Sequence, residues 1–291
     1  MKCHMTMCIK YYWVQTRANS LLFRHLTLQG KSEMLSESVE VAMSVVQIRF
    51  YAELNDFLSP TQRGKSFPHR IEGRVSIKDM IESLGVPHTE IDLILVHGVS
   101  VDFSYLVGAG DHVSVYPVFE AFDISPVLRL RPRPLRQSRF VLDVHLGKLA
   151  RYLRLMGFDS LYRNDYSDDE LASLSQRESR ILLTRDRGLL KRNIVTHGHC
   201  VRETRPTKQL QEILRRFDLF NSIRPFERCL QCNVLLEAID KDSIQDRLPP
   251  STREHFAEFR TCVACHRIYW RGSHHQRMQE FIQDVVEGHR R

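Results

Sequence analysis

An α/β fold is what the sequence predicts, with a smaller β-rich unit ahead of it and a four-cysteine metal unit behind. Three observations carry this. Between residues 140 and 217, apolar strand segments alternate with helical stripes, the pattern of a parallel sheet flanked by helices. Residues 44–123 hold a separate strand–helix–strand pattern with its own apolar face. Near the C-terminus, Cys229-Leu-Gln-Cys232 and Cys262-Val-Ala-Cys265 stand 29 residues apart. The 291 residues suffice for two or three such units. A chain 42% apolar and 26% charged is globular in composition, neither collagenous nor disordered. Its apolar runs are a few residues long, so no membrane span and no membrane partner are expected. The formal charge of +7 permits an anionic partner without selecting one.

Residues 1–43 show no clear periodicity, and a disordered extension is expected; a short helix or partner-binding segment is the other reading. The start, M-K-C-H-M-T-M-C, lacks the sustained apolar stretch of a signal peptide. From Val45 to Ala52 the chain alternates as a strand does. Ser76–Leu84 places Ile77, Met80, Ile81 and Leu84 on one helical face, and Gly85-Val-Pro stops it. Ile91–Val96 reads as a strand before His97-Gly98, Gly110-Asp111 as a turn, and His112–Tyr116 as a final strand. Two strands, a helix and later strands make a β-grasp-like order. With V-Q-I-R-F-Y-A-E-L-N-D-F-L, V-H-G and G-D-H-V-S-V-Y-P-V-F, it resembles the ubiquitin-like sulfur-carrier proteins. Those proteins end in an activated diglycine. Here the chain continues into Glu120-Ala-Phe-Asp with no Gly-Gly, so thiocarboxylate chemistry is not expected, and the unit reads as an accessory or interaction module that could take a protein partner.

Residues 124–138 form a basic linker, where three prolines oppose a helix. Five Arg fall between 129 and 139; from 124 to 160 eight Lys/Arg stand against two Asp, a net +6. The α/β unit is placed at 139–222. Phe140–Asp143 is an apolar strand ending in an acid. In the helix that follows, Leu146, Leu149, Ala150, Leu153 and Met156 form one stripe, Lys148, Arg151 and Arg154 another side, and Gly157 the C-terminal stop. A short strand begins at Ser160, a helix spans Asp168–Arg177, and Arg180–Thr184 is a buried-type strand leading into Arg185-Asp186-Arg187. Gln209–Phe217 presents an apolar core face.

In parallel sheets ligands collect beyond the carboxyl ends of the strands, and Asp143 and Asp186 both fall there. Converging carboxylates repel one another, and a divalent cation relieves the cost. Mg²⁺ or Mn²⁺ suits such oxygen ligands and can bridge to phosphate. Lys148, Arg151 and Arg185 stand near the acids in sequence, fit to neutralise a phosphodiester. The combination points to metal-assisted phosphodiester hydrolysis. Other readings stay open: Asp143 and Asp186 as helix caps, Asp186 paired with Arg185 or Arg187, His145 and Thr184 as structural residues. Asp168 is a third candidate acid, while Ser167 with Glu170 makes a capping box. Asp165 and Asp169 read as solvated.

Two C-x-x-C corners suit one tetrahedral zinc site of Cys229, Cys232, Cys262 and Cys265 in a zinc ribbon at 223–280, closed and therefore structural. A redox dithiol is the weaker reading. Unpaired thiols and an odd total of seven Cys point to a reducing compartment, the cytoplasm. Beyond the second pair, Tyr269 and Trp270 lie among Arg267, Arg271, His274, His275 and Arg277. That setting suits stacking on single-stranded nucleic acid, or local packing against the metal unit.

Taken in order, F-V-L-D-V-H-L-G-K-L-A-R-Y-L-R-L-M-G-F-D (140–159), S-D-D-E-L (167–171), R-I-L-L-T-R-D-R-G-L-L (180–190), P-F-E-R-C-L-Q-C-N (225–233) and C-V-A-C-H-R-I-Y-W-R-G-S-H (262–274) resemble the Mut7-C family. The resemblance covers about residues 44–278, because one architecture of that family adds an N-terminal ubiquitin-like domain. It implies a PIN-like parallel sheet flanked by helices, an N-terminal β-grasp domain, a C-terminal zinc ribbon, and a ribonuclease using acids at strand ends to bind divalent metal. On that match Asp143, Asp168 and Asp186 take the acid positions. PIN-type sites often gather four acids, and Asp169 and Glu170 are the weak candidates for a fourth. The expected activity is RNA hydrolysis with Mg²⁺ or Mn²⁺. The alternative is a non-catalytic RNA-binding or ribosome-associated adaptor, and a toxin-like role fits a chain of this size less well.

Overall fold

The computed structural model describes residues 43–117, 130 and 138–290. The expected N-terminal extension lies outside them apart from Met43, and the basic linker apart from Leu130 and Ser138. The β-rich unit opens with β1 (Met43–Phe50) and β2 (Phe67–Glu72), crosses through α1 (Ile77–Ser83), and closes with β3 (Ile91–Val96), β4 (Val99–Val101) and β5 (His112–Pro117). The strands lie in the order β2-β1-β5-β3-β4, with β1 and β5 parallel and the other pairs antiparallel. This is the β-grasp arrangement. Its helix is capped by Ser76, whose hydroxyl accepts from the Asp79 amide at 3.1 Å. Ile77, Met80 and Ile81 are buried, as the stripe requires.

The central unit consists of β6 (Phe140–Leu142), α2 (Gly147–Leu155), β7 (Ser160–Leu161), α3 (Asp168–Arg177), β8 (Ile181–Thr184), α4 (Arg187–Leu190), β9 (Gly198–Cys200) and α5 (Pro206–Arg216). Its sheet is all parallel, in the order β7-β6-β8-β9. The capping box expected of Ser167 and Glu170 is formed, which fixes where α3 starts. The period-2 alternation of strand side chains splits the sheet's two faces. Phe140, Leu142, Ile181 and Leu183 pack with α2 and α5. Val141 and Leu182 face the other way and join Leu171, Leu189, Leu190 and the β-grasp core of Val46, Ile48, Leu54, Ile81 and Ile94. The β-grasp unit is therefore a covering layer of the central sheet and shares its core. An independent accessory module would leave that face unfilled.

Gly157 ends the α2 turn at φ +96°, and a Cβ there would overlap the Arg224 carbonyl. Gly157→Ala combines a left-handed backbone with that collision. It should destabilise by more than about 1 kcal/mol, read as a melting midpoint lower by several degrees.

The third unit holds β10 (Leu236–Ile239), α6 (Pro250–His255), β11 (Phe259–Cys262) and β12 (Ile268–Tyr269), a three-stranded antiparallel sheet over a small core of Ile244, Leu248 and Phe259. The final helix, α7 (Ser273–Arg290), runs across residue 280, where the ribbon was expected to end. Its Ile282 and Val285 are buried with Leu210, Ile213 and Leu214 of α5, so it completes the central core. Arg154 differs from the two cations that precede it. It shares a spacing of three with Lys148 and Arg151, yet it is only 4% exposed, whereas they face solvent. Its guanidinium donates to the carbonyls of Ser160, Leu230 and Gln231 at 2.9, 3.1 and 2.7 Å, which clamps the first C-x-x-C corner to the end of α2.

Candidate active site and metal centre

Asp143 directly follows β6 and Asp186 follows β8, so both stand at the carboxyl edge of adjacent parallel strands. Thr184 ties them together. Its hydroxyl donates to Asp143 Oδ2 at 2.6 Å and accepts from the Asp186 amide at 2.9 Å. The other Asp143 oxygen accepts from the His145 amide at 3.3 Å, and Asp186 Oδ1 accepts from the Gly188 amide at 2.7 Å. Both acids thus cap the turns that follow them, and capping and edge placement coexist. Asp143 is 9% exposed, while Asp186 and Arg185 face solvent. Lys148, in the first turn of α2, and Arg151, one turn on, are exposed, as is His145. Tyr162, which sequence reasoning did not single out, donates to the Val144 carbonyl at 2.9 Å and lies so close to Gly147 that a Cβ there would sit 2.7 Å from its hydroxyl oxygen. The glycine lets the ring pin the turn after Asp143.

Asp168 does not join them. It is exposed in the first turn of α3, and its carboxylate lies 3.9 Å from Arg192. Arg192 pairs more closely with Asp169, and Glu170 is used by the capping box. Among the described residues, the four cysteines alone form a group of three or more candidate ligands within a metal's reach. The carboxyl edge therefore offers two carboxylates and a hydroxyl. Mg²⁺ and Mn²⁺ accept such a site, since they keep several waters and bind through one or two carboxylates plus substrate phosphate.

Cys229, Cys232, Cys262 and Cys265 bring their sulfur atoms within 4.8 Å of one another. The Cys229–Cys265 separation of 3.7 Å matches the edge of a tetrahedron with metal–sulfur bonds of about 2.3 Å. The two corners repeat one construction. Asn233 and His266, each following its second cysteine, take left-handed φ of +68° and +56°. Their amides return to the Cys229 and Cys262 carbonyls at 2.9 and 2.8 Å. Burial opposes ionisation of Cys229, yet hydrogen bonds from Tyr269 and from the Cys232 and Gln231 amides outweigh it and lower its pKa to about 7. Burial and the neighbouring thiols push Cys232 up to about 12. Packed thiols cannot all ionise beside one another, so a soft cation is the natural occupant.

The proposed stacking residues serve this module. The Tyr269 hydroxyl lies 3.1 Å from Cys229 Sγ, and Trp270 packs into the small core with Phe259. Nor does the module adjoin the acids. Asn233 receives the Ser160 amide at 2.8 Å and donates to Asp159 at 2.7 Å, both at the amino end of β7. The cysteines and the acids thus occupy opposite edges of the sheet.

Two families of known domains match the chain: the Mut7-C RNAse domain over residues 138–282 and the Mut7-C ubiquitin domain over residues 43–123. No curated protein and no solved structure matches it.

Proposed function

Because the chain belongs to the Mut7-C family, with the ubiquitin and RNAse domains of that family joined in one polypeptide, we propose that it is a metal-dependent ribonuclease hydrolysing RNA phosphodiester bonds. The observation that carries the reading is the Asp143–Thr184–Asp186 arrangement at the carboxyl edge. Asp143 and Asp186 would hold Mg²⁺ or Mn²⁺, which when bound lowers the pKa of an attacking water and offsets phosphate charge. The chain's own residues prepare the site. Thr184 holds one Asp143 oxygen and the Asp186 backbone in a fixed relation, and Tyr162 braces the turn below Asp143. The exposed cations Lys148, Arg151 and Arg185 balance charge on the RNA backbone. Zn²⁺ held by the four cysteines is structural, on the edge away from the chemistry. None of the five described cysteines is in a disulfide, which supports a reducing compartment, and we place the protein in the cytoplasm.

The test is cleavage of single-stranded RNA by purified protein with Mn²⁺. Asp143→Asn should lower the rate more than about 100-fold, beyond the loss of a merely supporting contact. Equal rates for both proteins would overturn the assignment. A non-catalytic RNA-binding adaptor is the second reading, favoured by Asp168 lying apart beside Arg192. It predicts salt-sensitive RNA binding indifferent to divalent metal.

A further inference from the structure

The β-grasp unit reaches the carboxyl edge beside Asp186. Phe57, at the end of the turn Ala52–Phe57 after β1, is buried, and two guanidinium groups of the central unit lie over its ring: Arg187 at 4.9 Å and Arg202 at 4.8 Å from the centroid. Arg187 directly follows Asp186, and Arg202 lies two residues beyond β9, so both stand where the strands end. The segment carrying them is held to the same unit elsewhere. Lys191 Nζ donates to the Glu82 carbonyl at 2.6 Å, His88 Nε2 meets the Val195 carbonyl at 2.9 Å, and Lys78 bonds Asn193.

The two arginines differ in charge compensation. Arg202 lies 3.5 Å from Asp56 and 3.9 Å from Glu90. Arg187 is exposed and shares a side-chain hydrogen bond with the Cys200 thiol, and no carboxylate pairs with it among the described residues. A cation stacked on a buried ring is held in place and loses little freedom on binding, and the N–H groups of its planar head that remain open suit capture of phosphate.

We propose that Arg187, seated on Phe57 of the β-grasp unit with Arg202 beside it, is a phosphate-binding residue for the RNA strand. The β-grasp unit is then one wall of the substrate site. This rests on the ribonuclease reading for the identity of the substrate.

The experiment separates the two. Full-length protein carrying Asp143→Asn is titrated with a fluorescein-labelled single-stranded RNA by anisotropy, without divalent metal, over a range of KCl. Adding Arg187→Ala should weaken binding several-fold and flatten the slope of log affinity against log salt by about 0.7, one single-strand phosphate contact. Arg187→Lys should recover the slope and only part of the affinity, because the charge returns without the planar stack. Phe57→Leu, if its melting midpoint is retained, should weaken binding while leaving a slope near that of the parent. Unchanged affinity and slope in Arg187→Ala would overturn the proposal. So would binding of polyglutamate, lost with Arg187, in place of RNA. Failure of the wild-type protein to cleave RNA with Mn²⁺ would instead overturn the catalytic reading and leave the binding result standing.

Discussion

Removing the zinc proposed for the four-cysteine module, by chelation or by Cys262→Ser, should lower the melting midpoint of the whole described fold by more than about 10 °C. Structural zinc sites contribute on the order of 10–16 kcal/mol of apparent binding energy, comparable with the total stability of a typical domain. The loss should not stay local. Arg154 ties the Leu230 and Gln231 carbonyls to α2, Asn233 holds the Ser160 amide and the Asp159 carboxylate, and Arg228 Nε donates to the Gly157 carbonyl at 2.9 Å. Asp159 is itself committed: burial opposes its charge, but Arg180 and Asn233 hold its pKa below the usual carboxylate range. If the cysteine corner opens, Arg154 loses two carbonyl partners and keeps a buried charge. Calorimetry of metal-loaded and chelated protein checks this. A shift under about 2 °C would show that the thiols hold themselves without a cation.

The second large effect concerns the joint between the β-grasp and central units. Glu90 is fully buried and accepts from the Cys200 amide; it pairs with His199, which also meets Glu212 at 2.9 Å, and with Arg216 at 3.5 Å. Glu90→Gln would take one of two carboxylates from His199, which keeps Glu212, and from Arg216, which keeps Glu53 at 2.8 Å, a weakening of a largely buried ion network that costs up to about 3–5 kcal/mol. The pH dependence follows from the same groups. Burial opposes charge on His199, but Glu90 and Glu212 raise its pKa above the ordinary value. Burial opposes Glu90 as well, and His199, Arg216 and Arg202 lower it to about 2. A raised histidine contributes fully below its unfolded pKa and loses that contribution as pH rises through the folded one. A lowered glutamate contributes above its unfolded pKa and loses it as pH falls toward 2. The joint should therefore be firmest between the carboxylate range and about pH 6.5, and soften on the alkaline side. Melting midpoints from pH 5 to 9 should fall at the upper end for the wild type and change less for His199→Gln. Parallel curves would remove His199 from the account.

Much of this architecture is legible in the chain because it is locally encoded. The stripe of Leu146, Leu149, Ala150, Leu153 and Met156 is buried throughout, α3 starts where Ser167 and Glu170 form their box, and the C-x-x-C spacing brings four sulfurs together. Period alone cannot separate Arg154 from Lys148 and Arg151, since its partners are carbonyls some 76 residues away. The α7 helix hid behind the cysteine motif, although Met278, Ile282 and Val285 follow helical spacing. At the candidate site, Asp143 and Asp186 are readable because each ends an apolar strand. Asp168 reads the same way as an acid opening a helix, and only the fold turns it toward Arg192. Phe57, Arg187 and Arg202 carry no common motif; a fold joining residues more than a hundred positions apart is what assembles them.

One detail of that joint bears on how the protein can be divided. β9 is one of the two edge strands of the central sheet, and edge strands offer unpaired amides to any chain that can add to them. Here the Glu90 carboxylate accepts from the Cys200 amide, and Thr89 stands so near Gly198 that a Cβ added there would lie 3.6 Å from the Thr89 Cβ. The β-grasp unit thus works as a stopper against strand addition. A fragment beginning near residue 138 would bare both that edge and the apolar face around Val141 and Leu182, and would tend toward self-association. The central unit is best handled together with its neighbour in the chain, which covers what it would otherwise expose.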